Sequence, residues 1–123
     1  MDLQKYLRKK ERKKESQNEK LRLSIDGEVF EFEKLNDEKY TDFQSRIVDM
    51  NQDGDTSGLV EICRDMIYFS CPDLRSSELQ QEFNVSYPPE IVTEIFTGAE
   101  ISAAGAELMK FNGMTETDVV KKL

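Results

Sequence analysis

The sequence predicts a mainly α-helical fold of about five or six short helices with one N-terminal β-hairpin, on three observations. Apolar residues recur at helical spacing along Tyr40, Phe43, Ile47 and Met50, and again along Leu59, Ile62, Cys63, Met66 and Ile67. Asp26-Gly27 stands between two alternating segments, Leu21–Ile25 and Glu28–Glu33. Helix-start signals then punctuate the C-terminal half, at Ser77-Glu-Leu-Gln80, Pro88-Pro89 and Thr97-Gly-Ala-Glu100.

The hairpin expectation rests on turn chemistry, because a type I′ turn needs positive φ at both central residues and Asp-Gly supplies it. A two-residue loop pairs Leu23 with Phe30 and Leu21 with Phe32 on one side, and Arg22 with Glu31 on the other. A lone hairpin is marginal in water, so its Leu/Phe side is expected to lie on helices. From Asn36 the first helical stripe begins, and Gln52-Asp-Gly-Asp-Thr-Ser-Gly58 is expected to break it. The second stripe, ending before Cys71-Pro72, is apolar over a wide arc once Val60 and Phe69 are added, and is expected to be the most buried element.

In the C-terminal half, Ser77 and Gln80 match a capping box opening a short helix that buries Leu79 and Phe83. Pro88-Pro89 suits the first turn of a helix carrying Ile91, Val92, Ile95 and Phe96. Thr97 and Glu100 form a second capping box for a helix with Ile101, Ala104, Leu108 and Phe111. Its small middle, Ala103-Ala-Gly-Ala106, lets another helix approach closely, and Asn112-Gly113 supplies a left-handed stop. Thr115 is read as the cap of a last turn bearing Val119, Val120 and Leu123.

The 123 residues suit one domain, and charge divides them. Residues 1–20 carry eight bases against four acids, a net +4, and read as a basic arm, helical or disordered. Residues 21–123 carry nine bases against 21 acids, a net −12, and read as a single mainly helical domain with its hairpin at 21–33. The arm's apolar residues Leu3, Tyr6 and Leu7 share one helical side and are read as a stripe for docking on the body or on a partner. No aromatic interrupts Arg8–Lys14 as a stacking platform, and an acidic body opposes DNA, so the sequence speaks against nucleic acid.

Histidine is absent, which removes Ser-His-Asp triads, Cys-His dyads and HExxH sites. The six glycines are scattered, with no GK[ST] or GxGxxG loop. No enzyme activity and no cofactor is expected. Cys63 and Cys71 are read as reduced, partly buried thiols of a cytoplasmic protein. No apolar run approaches the roughly 20 residues that cross a bilayer, and the charged N-terminus is unlike a signal peptide.

Counting from Asp49, Asn51, Asp53 and Asp55 fall at positions 3, 5 and 7 of an EF-hand loop, with Gly54 at position 6. Position 12 is Val60 where a bidentate Glu belongs, and restarting at Asp53 puts Arg64 there. The segment therefore reads as an interhelical turn whose Asp and Ser residues cap the next helix. Asp49, Asn51, Asp53 and Asp55 are the residues a calcium-responsive adaptor would use. Phe69, Tyr87, Phe96 and Phe111 are read either as core or as walls of a groove for a partner helix.

The order of these segments, with Leu35-Asn-Asp-Glu38, Tyr68-x-x-x-Pro72-Asp-Leu74, Glu78-Leu-Gln-Gln-Glu-Phe-Asn-Val85, Ile95-Phe-Thr-Gly-Ala-Glu-Ile101 and Phe111-Asn-Gly-Met114, resembles the XkdN-like phage tail assembly chaperones over roughly residues 21–114. The resemblance implies a non-enzymatic protein of phage or prophage that acts in the bacterial host cytoplasm. It implies as partners the tape-measure protein and tail tube subunits, and no small-molecule substrate. In this family a second, frameshift-extended form is often made. A homo-oligomer is left open. The alternatives are the calcium-responsive adaptor and a small nucleic-acid-binding regulator using the basic arm.

Overall fold

A computed structural model describes residues 1–115 and 119–123. It begins with α1 (Leu3–Gln17), capped by the Asp2 carboxylate, which accepts the Lys5 N–H at 3.2 Å. Of the two readings, helical or disordered, the arm takes the helical one from Leu3 to Gln17, in keeping with its Lys, Arg, Glu and Gln and its lack of Gly or Pro. It contributes no buried residue to the core.

The hairpin follows as β1 (Lys20–Ile25) and β2 (Glu28–Glu33), antiparallel. Its register pairs Leu21 with Phe32, Arg22 with Glu31 and Leu23 with Phe30, as the two-residue loop requires. Asp26 has φ 53° and Gly27 φ 81°, the left-handed pair that predicted the turn. The apolar side lies on helices as expected: Phe32 is fully buried, and Phe30 meets Phe96 edge-on with ring centroids 5.0 Å apart.

Helix α2 (Asp37–Asp53) is capped by Asn36, whose side chain accepts the Lys39 N–H at 2.8 Å. It runs past the expected break at Gln52 and stops where Gly54 takes φ 68°, because a left-handed C-terminal residue ends a helix without a Cβ clash. Helix α3 (Leu59–Ser70) carries the most buried residues of any element, including Ile62, Cys63, Met66 and Ile67. Val60 departs from the expectation and faces solvent. The turn before α3 offers no side-chain cap: Gly58 occupies that position, and Asp55 instead accepts the Ser57 N–H at 2.9 Å.

A 3-10 turn (Pro72–Arg75) leads to α4 (Ser77–Phe83). The cap is Ser76, one residue earlier than expected, with its Oγ accepting the Leu79 N–H at 3.3 Å. No capping box forms, because the Ser76 cap puts Leu79 at the third helical position; the Gln80 side chain donates to the Leu74 carbonyl at 2.8 Å. Leu79 is half-buried but Phe83 is exposed, correcting the expectation that both are covered. Pro88-Pro89 opens a second 3-10 turn (Pro88–Glu90) that runs into α5 (Ile91–Ile95).

Helix α6 (Gly98–Phe111) has the expected capping box complete. Thr97 Oγ1 accepts the Glu100 N–H at 3.1 Å, and Glu100 Oε1 accepts the Thr97 N–H at 2.9 Å. Gly113, at φ 74°, closes its end, with Met114 N–H donating to the Met109 carbonyl at 2.9 Å. The expected last turn after Thr115 falls partly on residues 116–118, outside the described residues; Val119, Val120 and Leu123 are exposed.

The core forms where α3 meets α6, α2, α5 and β2. Closest of these is α3 against α6, where a Cβ placed on Gly105 would lie 2.6 Å from Cys63 Cβ and 3.3 Å from its Cα. Burial of α3 also encloses Asp65, only 5% exposed, between Arg46 Nη1 and Arg64 Nε at 2.9 Å each. That ion triad fastens α2 to α3.

Candidate partner-binding surface

Helix α1 presents Leu3, Tyr6 and Leu7 at 56%, 56% and 48% exposure. Their i, i+3, i+4 spacing puts them on one side, and the same side continues into Lys10 and Lys14. The body touches α1 through its C-terminal half. Lys13 Nζ pairs with Asp37 Oδ2 at 2.7 Å, and Lys34 Nζ reaches Ser16 Oγ at 3.5 Å. The Lys13–Asp37 pair is solvent-exposed on both sides and contributes at most about 1 kcal/mol. The stripe thus stays exposed and does not dock on its own body.

The four body aromatics divide. Phe96 is 7% exposed and packs on Phe30, so it is core and forms no wall of a groove. Phe69 and Phe111 are half-buried and Tyr87 is exposed. Each of these three is covered by its own cation: Lys39 Nζ stands 4.1 Å from the Phe69 ring centroid, Lys34 Nζ 4.8 Å from Phe111, and the Arg64 guanidinium 5.4 Å from Tyr87. Such contacts are worth about 0.5–1 kcal/mol at exposed sites. Phe69 and Phe111 thus sit beside long lysine side chains, and Tyr87 beside an arginine that Asp65 already holds.

The residues a calcium-responsive adaptor would use fall largely on α2. Asp49, Asn51 and Asp53 lie on the helix, where i and i+2 point apart, so they cannot wrap an ion as loop positions 1, 3 and 5. Asp55 is outside the helix, and its pKa is lowered, first by the backbone hydrogen bond from Ser57. Among the described residues no group of three or more His, Cys, Asp or Glu side chains is placed to hold a metal. Cys63 and Cys71 are buried and unbridged, and burial raises both thiol pKa values.

The sequence reading missed a groove of about 270 Å³ between β1 and α6, floored by Leu23, Ile25, Ala103 and Ala104. Asp26, Glu100 and Glu107 add carboxylates to its lining. The signal was present in Glu100-x-x-Ala103-Ala104-x-x-Glu107, an i, i+3, i+4, i+7 set on one side of α6. It goes unseen while small residues are read only as the place where α3 approaches.

Among the described residues, no helix is long and apolar enough to cross a membrane. Comparison with family models, with curated proteins and with solved structures finds no match to the chain.

Proposed function

We propose that this chain is a non-enzymatic tail assembly chaperone of phage or prophage, which binds the tape-measure protein and assists tail tube assembly around it. The observation that carries the reading is the stripe Leu3, Tyr6 and Leu7, exposed on a formed helix that supplies nothing to the core. An apolar helical side of this kind recognises another amphipathic helix through anchors at i, i+3 and i+4. Three anchors make a small contact, suited to a chaperone that must leave when tube subunits arrive. The order of capping and packing segments from Leu35 to Met114 supports the same reading through its resemblance to XkdN-like chaperones. The net −12 of residues 21–123 favours solubility of the body.

Co-expression with the tape-measure protein tests this. The expected result is that the tape-measure protein stays soluble and co-purifies with the chain. No complex and no gain in solubility would contradict the proposal. Salt-dependent binding of duplex DNA, abolished by removing residues 1–19 and accompanied by no effect on the tape-measure protein, would support the nucleic-acid reading instead.

A further inference from the structure

Two surfaces of this chain are unfilled and complementary. One is the groove between β1 and α6, with its apolar floor and carboxylates at Asp26, Glu100 and Glu107. The other is the side of α1 that passes from Leu3, Tyr6 and Leu7 into Lys10 and Lys14. Ala103 and Ala104 carry the smallest side chains that still make a helix, so a second helix can lie close to α6 there. Among the described residues Glu107 pairs with Lys110 at 3.7 Å, an exposed contact easily exchanged for another cation. One oxygen of Glu100 accepts the Thr97 N–H, and Glu100 also lines the groove.

The arm of the same chain is held away from this groove. Asn18 and Glu19 alone join α1 to the open end of the hairpin, where Lys13 pairs with Asp37. The groove lies at the turn end, beside Ile25 and Asp26, about 17 Å along β1 from Lys20. Leu3 and Leu7 are in the first turns of α1, at the end remote from the body contacts.

We infer that α1 of one copy docks in the β1–α6 groove of a second copy, its Leu3, Tyr6 and Leu7 side on the apolar floor and its lysines against the carboxylates. Charge complementarity selects this occupant: the arm region is +4 and the rest of the chain −12. The contact is heterologous, an arm of one copy in the groove of another, so each half can be disabled separately. It also covers the apolar stripe whenever no other partner is bound to it. The inference stands on the two surfaces and does not require the chaperone reading.

Sedimentation of the purified full-length chain tests it. The weight-average mass is expected to rise with concentration at low salt and to fall back toward one chain at high salt. Leu3→Glu with Leu7→Glu disables the arm, and Ala103→Arg, at an exposed position, blocks the groove. Each variant should self-associate at least about tenfold more weakly than the unmodified chain. Mixed together they should form a one-to-one pair and nothing larger, because one intact arm and one intact groove remain. A chain monomeric at hundreds of micromolar, variants that associate as strongly as the parent, or a mixture that stays monomeric would each overturn the inference. Circular dichroism of both variants confirms that the fold is retained.

Discussion

Gly105 of α6 faces Cys63 of α3 so closely that a Cβ at residue 105 would lie 2.6 Å from the Cys63 Cβ. This contact sets the spacing of the two helices that share most of the core, and it makes a glycine necessary in the middle of a helix, where alanine would otherwise be favoured by about 1 kcal/mol. Overpacking at such a contact costs about 1–3 kcal/mol, so Gly105→Ala is expected to lower stability by up to about 2 kcal/mol net. Chemical denaturation measures it. Cys63→Ala in the same chain should recover only part of the loss, because its Cβ remains in the way.

Asp65 holds two arginines in a nearly buried triad, with Arg46 40% exposed at its side chain and Arg64 17%. Asp65→Asn leaves both cations without their anion, for an expected loss of about 1–3 kcal/mol. Arg46→Met should cost less, since Asp65 keeps Arg64 and the more exposed partner is the one removed. Equal losses for the two substitutions in urea unfolding would contradict this description of the α2–α3 joint.

Ser70 is 1% exposed, and among the described residues its hydroxyl has no hydrogen-bond partner. Leaving a buried hydroxyl unpaired costs about 1–3 kcal/mol relative to satisfying it, so deleting it is nearly free or favourable. Ser70→Ala is expected to raise stability by about 0.5–1 kcal/mol. A loss in thermal unfolding would show that the hydroxyl does have a partner.

The buried thiols impose a pH dependence with a definite sign. Burial raises the pKa of Cys63 and Cys71 in the folded chain. Below the unfolded thiol pKa, about 8.5, both states hold the protons and the full stability is present. As pH rises further the unfolded chain releases them first, and stability falls. The double variant Cys63→Ala, Cys71→Ala should show a shallower alkaline decline in denaturation midpoints. Identical slopes would mean that the thiols titrate alike in both states.

What could be read from sequence was local chemistry. Asp26-Gly27 needs only its own backbone preference to form the turn, and the hairpin register followed from its length. Thr97 and Glu100 satisfy each other within one helical turn, so that cap was legible in full. What escaped depended on distant partners. Phe96 is core because Phe30, on the hairpin, closes over it, and Asp65 is buried because Arg46, 19 residues away, neutralises it. Asp49, Asn51 and Asp53 suggested a loop, but α2 persists until Gly54 provides a left-handed exit. The β1–α6 groove was hidden for the same reason, as its two walls are far apart in the chain.

The most direct test of the central claim is the affinity of the full-length chain for tape-measure protein, measured with and without the exposed stripe. None of Leu3, Tyr6 and Leu7 is buried in the core, so replacing all three with alanine should leave the circular dichroism and the unfolding midpoint of the body unchanged. The account predicts measurable binding by the unmodified chain and at least about tenfold weaker binding by the triple variant. Equal affinity of the two chains, or no binding by either, would contradict it.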